Sequence, residues 1–261
     1  MLVRAAGKTL CFLVLATGWS VKAGEGEPVT FVQTVDLGKY QVVIEPSGRI
    51  KEIKKGNTLL LERLGLFAYP MGSGRLFQGG SSPECFEKVT AATRMFRENG
   101  KITVKREAII GNEKFPEAVK YRYEASFSPD GKVSIAYEVE YLVTTRWRAY
   151  AGEFIYRIPL VSIAGKEWIA EMKNGAVNAG TNPSTFTEDN RKEWVSIDNG
   201  SRLSLESTAG RIELVPRGQS YLRGGIEGSG TAIYVISLPR EAEIPAGTKQ
   251  SLQLDIFLPV K

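Results

Sequence analysis

The residues best equipped for chemistry lie in one stretch, YLVTTRWRAYAGEF (141–154), which carries Arg146, Trp147, Arg148 and Tyr150 at the end of an alternating strand. A sugar ring has an apolar face and a polar rim, so proteins hold it by stacking Trp or Tyr on the face while Arg, Asn and carboxylates bond the hydroxyls. Trp147 and Tyr150 with Arg146 and Arg148 supply that combination, and the planar guanidinium fork also suits the carboxylate of an acidic sugar. A second segment, 182–194, adds Asn182 and Trp194 around Glu188, Asp189 and Asn190. Arg146, Trp147, Arg148, Tyr150, Asn182 and Trp194 are therefore the candidate carbohydrate-binding residues. The competing reading of the first stretch is a sheet edge, with Trp147 covering the end of the core and the arginines reaching into water.

Glu138 and Glu140 stand two apart in SIAYEVEYL, which places both on one strand face, opposite Ile135, Tyr137, Val139 and Tyr141. Paired carboxylates about 5 to 9 Å apart do the acid and nucleophile or base work of glycosidases. The same alternation describes a solvated sheet face, and Lys120, Arg122 and Glu124 of the preceding strand put two basic partners across from the glutamates. Histidine is absent from all 261 residues. Its absence excludes Ser-His-Asp and Cys-His triads and imidazole-ligated metal sites. Hydrolysis by two carboxylates, lyase chemistry by Tyr with Arg or Lys, and binding without catalysis stay open. No catalytic residue is assigned and no cofactor is expected. The oxygen-bearing side chains at 182–190 suit calcium chemically but lack EF-hand spacing, so no metal site is assigned. Trp168, flanked by Ile163 and Ile169, reads as core. Asn199-Gly200-Ser201 matches a glycosylation pattern but coincides with an expected turn.

Two-residue periodicity dominates the elements that must position these groups. Tyr121–Phe127 and Lys132–Leu142 flank Ser128-Pro-Asp-Gly131, a hairpin signature in which Asp130-Gly131 supplies the positive-φ positions of a tight turn. The same pattern predicts turns at Glu45–Gly48, Glu98–Gly100, Asp198–Gly200 and Thr208–Gly210. Helical spacing is scarce; the segment 82–96 predicts a short helix at most, opened by Pro83 and Glu84, with a strand from Val89 as the alternative. Two glycine-rich stretches, 72–83 and 174–183, read as long loops. Turns about every ten residues, with no repeat and no linker, predict an all-β chain: one large antiparallel two-sheet β-sandwich.

The opening MLVRAAGKTLCFLVLATGWSVKA has basic residues, a short apolar run and small residues before Gly24, the pattern of a secretory signal peptide. Its apolar core is shorter than the roughly 20 residues needed to span a bilayer. Cleavage after Ala23 leaves 238 of the 261 residues as a single domain, 24–261, and the expected location is secreted or periplasmic. The whole chain carries 34 basic and 29 acidic residues; loss of Arg4, Lys8 and Lys22 lowers the formal charge from +5 to +2. That balance does not imply a nucleic-acid partner. Cys85 is the single cysteine left, so no internal disulfide is possible and the thiol reads as a buried small apolar group.

Two segments carry a family resemblance. Tyr40-Gln-Val-Val-Ile-Glu-Pro-Ser-Gly-Arg-Ile-Lys-Glu-Ile53, followed by Asn57–Leu61 and Gly65–Tyr69, resembles the opening of galactose-mutarotase-like (aldose-epimerase-like) β-supersandwich domains. The ending from Ile244-Pro-Ala-Gly247 to Leu258 is similar to their last strand. The resemblance implies a two-sheet domain that holds carbohydrate, as in aldose epimerases and accessory domains of polysaccharide-active enzymes. The epimerases use histidine with a carboxylate base, and this chain has no histidine. The expectation is an exported, monomeric, non-catalytic protein that binds an oligo- or polysaccharide by stacking and hydrogen bonding, with no nucleic acid and no membrane span in the mature chain. The alternatives are a lyase in which Tyr150 abstracts a proton while Arg146 or Arg148 neutralises a uronate, a hydrolase using Glu138, and an envelope protein with a structural role.

Overall fold

The computed structural model describes residues 26–146, 154–227, 230–236 and 243–260; the signal-like segment and Trp147, Arg148 and Tyr150 lie outside them. The first part of the chain forms β1 (Glu27–Pro28), β2 (Gln33–Asp36), β3 (Gln41–Ile44), β4 (Ile50–Lys55), β5 (Thr58–Ala68), β6 (Leu76–Phe77) and β7 (Ser81–Ser82). Four long strands follow: β8 (Cys85–Glu98), β9 (Lys101–Gly111), β10 (Val119–Phe127) and β11 (Lys132–Tyr141). Then come β12 (Thr145–Arg146), β13 (Phe154–Pro159), the single helical turn α1 (Leu160–Ile163), β14 (Glu167–Met172) and β15 (Val177–Thr181). The last part supplies β16 (Ile197–Ser207), β17 (Gly210–Arg217), β18 (Tyr221–Glu227), β19 (Gly230–Ile236), β20 (Glu243–Ile244) and β21 (Lys249–Phe257).

Nineteen of these strands join in one antiparallel sheet that folds over on itself into a sandwich. Along one part β2, β3, β4 and β5 pair in sequence and β13 continues the sheet from β5 to β19. Along the other, β8, β9, β10 and β11 form a meander that β21 joins to β17. The period-2 pattern explains the packing. In β10 and β11 the residues Tyr121, Tyr123, Phe127, Ile135, Tyr137, Val139 and Tyr141 are buried while Lys120, Arg122, Glu124 and Glu138 face water. These buried rows share one hydrophobic cluster with Ile44, Ile50, Leu60, Leu61 and Leu66 of β3–β5. Fully burying each such side chain contributes about 1.5–3 kcal/mol, which lets the core stand without a disulfide.

Most predicted turns fall where expected. Gly131 takes φ 88° and Ser128 N–H bonds Lys132 O at 2.9 Å, closing the β10–β11 hairpin. The turns 45–48, 98–100 and 208–210 likewise join β3 to β4, β8 to β9 and β16 to β17. Three expectations are corrected. The segment 82–96 forms no helix: after a tight turn that pairs Ser82 with Cys85, β8 runs against β9 from Phe86↔Gly111 to Glu98↔Lys101. Its β-branched Val89, Thr90 and Thr93 favour the pleat, and two register shifts absorb the irregular middle. Asp198-Asn199-Gly200 does not turn the chain either. β16 passes straight through it with a register shift against β18, and the positive φ of Asn199 (59°) serves a bulge. At Gly200 a Cβ would lie 2.1 Å from Ile197 Cδ1, so a larger residue there would force the buried Ile197 to shift. The two glycine-rich stretches are also shorter loops than expected, since one contains β6 and β7 and the other β15.

Candidate functional site

Three of the six sequence candidates, Arg146, Asn182 and Trp194, lie among the described residues. Arg146 closes β12, which pairs with β20, and Trp147, Arg148 and Tyr150 lie outside the described residues. Asn182 and Trp194 are corrected from binding loop to interior: each is only 1% exposed. Asn182 donates to Ile163 O and accepts from Val195 N–H at 2.9 Å, so its amide is spent on joining two backbone segments. Trp194 packs edge-on against Phe186 and donates its indole N–H to Asn190 Oδ1 at 3.1 Å. Trp168 also packs against the core, as expected.

Glu138 and Glu140 face Arg122 and Lys120 in register, as the hairpin predicts. Their ion pairs run elsewhere: Arg122 bonds Glu107 at 2.8 Å and Lys249 reaches Glu140 at 3.7 Å. These charges form a solvated sheet face. Cys85 is buried, with Sγ accepting from Phe77 N–H at 3.1 Å, and burial pushes its thiol pKa up.

A different set of residues does converge. A cavity of about 750 Å³ opens over β4, β5, β13 and β19, with the segment that precedes and contains β6 as one wall. Gly65, Leu66, Phe67 and Gln78 line it beside the side chains of Arg49, Lys51, Arg63, Arg75, Phe77 and Arg157. At Gly65 a Cβ would lie 2.7 Å from Arg49 Cδ and would displace that side chain. Without one, Arg49 lies along the strand and meets Glu45 through two parallel hydrogen bonds, 2.8 and 3.0 Å. Arg157 reaches Glu62 at 3.7 Å. The guanidinium of Arg75 sits 4.5 Å from the centre of the Phe67 ring. Arg63 stands out in the backbone: it has φ 60° in mid-strand, where two residues of β5, Arg63 and Leu64, oppose one of β13. A left-handed φ is uncommon outside glycine, and such positions cluster at functional sites.

The rim that carries Glu45 and Arg49 is held from both sides. Gln78, fully buried, donates to Ser47 O at 2.7 Å and accepts from the Tyr137 hydroxyl at 2.7 Å. From the opposite side Thr93 Oγ1 and Arg106 donate to Pro46 O at 2.5 and 3.2 Å. Arg106 is itself locked by a buried ion pair with Glu87 and by Tyr121, whose hydroxyl also donates to Glu87. Burial, then the Glu87 charge, hold the Tyr121 hydroxyl far above its ordinary pKa; burial does the same for Tyr137. Neither tyrosine is poised to take a proton. The buried polar groups preorganise the rim, and the arrangement presents fixed cations beside an aromatic ring.

Reading the chain alone missed this cavity because its residues come from five separate elements. Arg49 lies inside the Pro-Ser-Gly-Arg turn that carries the family resemblance, but nothing in its spacing marks it as a site residue. The two described ends of the stretch 141–154 are nevertheless neighbours: Thr145 bridges to Pro70, at the start of the segment that carries Arg75, and Phe154 pairs with Leu66 of the lining.

No protein-family model matches the chain, and none of the curated proteins is significantly similar in sequence. Solved structures do match. Slr1438 from Synechocystis sp. PCC 6803 superposes with TM-score 0.52 at 10% identity, over 94% of this chain and 100% of that one. YeaD from Salmonella typhimurium follows with 0.51 at 11% identity, over 87% and 89%. The galactose 1-epimerase of Lactobacillus acidophilus NCFM gives 0.50 at 7% identity, over 86% and 92%. The shared property at these identities is the fold: the chain is a distant galactose-mutarotase-like β-sandwich.

Proposed function

We propose that this mutarotase-like sandwich is an exported carbohydrate-binding protein that holds a sugar unit in the cavity over β4, β5 and β13 without transforming it. The observation that carries the reading is the cavity itself. Its volume of about 750 Å³ falls in the range of small-molecule sites, and the aromatic Phe77 lines it among guanidinium donors suited to hydroxyls. Binding without turnover is supported by the chemistry of the lining. Guanidinium groups stay protonated and transfer no proton near neutral pH. Glu45 is the one carboxylate among the described lining residues, and both its oxygens are engaged by Arg49. Export is supported by the signal-like opening of the chain.

The test is binding of the chain from Gly24 onward to an array of neutral and acidic glycans, with ultraviolet monitoring of the same polysaccharides for unsaturated uronate products. Saturable binding that Phe77→Ala weakens, with no product formed, is the expected result. Silence across the whole array overturns the reading in favour of a structural role. Ultraviolet-absorbing product replaces it with a lyase.

A further inference from the structure

We propose that the cavity recognises its saccharide by an acid group, so that the ligand class is a carboxylated or sulfated sugar gripped by Lys51, Arg63 and Arg75. This rests on the saccharide reading above and narrows it. Among the described residues, none of these three cations has an ion-pair partner, whereas Arg49 and Arg157 beside them are matched by Glu45 and Glu62. The local charge is therefore left positive in a concavity, where low-dielectric walls focus the field on whatever enters.

Placement strengthens the case. Lys51 and Arg63 lie between the register pairs Ile50↔Leu64 and Glu52↔Glu62, so two like charges face each other across adjacent strands. Like charges directly opposite destabilise a sheet. Arg63 adds the left-handed backbone at the bulge, a second unfavourable local feature at the same spot. An anion arriving between the two side chains offsets the charge repulsion, and the strained backbone marks the spot as one kept for a purpose other than stability. Arg75, packed on Phe67, presents a planar fork of the kind that binds carboxylate or sulfate in two places. A neutral sugar would use none of this charge.

The experiment is calorimetric titration of the chain from Gly24 onward with a uronate oligomer, a sulfated oligosaccharide, a neutral oligosaccharide and inorganic polyphosphate. The uronate or the sulfated probe is expected to bind best, with affinity falling as NaCl rises from about 50 to about 500 mM, because screening shortens the reach of the cations. Lys51→Gln and Arg75→Gln are each expected to weaken that binding about 10-fold, the scale of one charged hydrogen bond. Lys101→Gln, an exposed lysine outside the lining, changes nothing. Both cavity substitutions are at exposed side chains, and the salt series on the unaltered protein tests the charge independently of them. Equal, salt-insensitive binding of the neutral probe overturns the acid-group inference and leaves the saccharide reading standing. Polyphosphate bound more tightly than every sugar overturns both, as does no binding at all.

Discussion

Replacing Arg63 by glycine should raise stability while weakening the proposed ligand binding, a combination that a merely structural arginine does not produce. Holding a residue with a Cβ at left-handed φ is unfavourable by about 1–2 kcal/mol. Glycine adopts φ 60° freely, but its extra freedom in the unfolded chain offsets about 0.5–1 kcal/mol of that gain. The exposed Arg63 side chain has no ion-pair partner among the described residues, so its loss sacrifices no salt bridge, and removing a like charge opposite Lys51 adds a few tenths. The sum is a net gain of about 0.5–1 kcal/mol, which for a domain of this size raises Tm by about 1–4 °C. Lys120→Gly is the control, because Lys120 is exposed on β10 with an ordinary backbone and should lose about 0.5–1 kcal/mol instead. Thermal unfolding by circular dichroism, paired with titration of the uronate oligomer, reads both quantities. Opposite signs of ΔTm for the two glycine variants, with ligand affinity lost only in Arg63→Gly, are expected. A fall in Tm as large as that of Lys120→Gly would refute the strain argument, and unchanged affinity would refute the role in binding.

Trp194→Ala should destabilise the fold by about 3–5 kcal/mol, because a side chain only 1% exposed is removed from the core, and urea denaturation measures the loss. Asp255 should govern part of the acid limb of stability. Burial pushes its pKa up, but hydrogen bonds from Arg217, Ser134 and Lys132 outweigh that and hold it below the ordinary range. A depressed carboxylate contributes stability above its unfolded pKa of about 3.9 and loses it as pH falls through the native value. The Tm gap between the parent and Asp255→Asn is therefore constant above about pH 5 and shrinks on acidification below about pH 4, and a gap that widened instead would contradict the sign. Cys85 should resist a thiol reagent in the native protein and react at once in denaturant, since burial raises its pKa and Phe77 N–H occupies its sulfur. Rapid native labelling would disprove that.

The period-2 runs made the hairpins readable, because one buried face forces alternation and Asp130-Gly131 or Asn99-Gly100 names the turn. Where positive φ serves a bulge, as at Asn199, the local signal is identical to that of a turn, and the strands on either side decide. At 82–96 the local helix signal lost to pairing with β9. The site was less legible still. Aromatic residues near polar loops suggested ligand platforms, yet Trp194 and Asn182 face inward because their hydrogen bonds tie the 182–195 segment together. Arg63 and Lys51 look like ordinary surface charges in a linear reading, and sheet register alone shows that they oppose each other.

The position of β21 has a consequence for how the chain acquires its structure. This strand, residues 249–257 of 261, lies in mid-sheet with β11 on one side and β17 on the other. Tyr40 and Lys55 from the first part of the chain donate to the carbonyl of Pro259 just beyond it. Until β21 is in place, β11 and β17 each keep one open edge, with β10 and β16 covering their other sides. Non-local pairing of this kind slows folding.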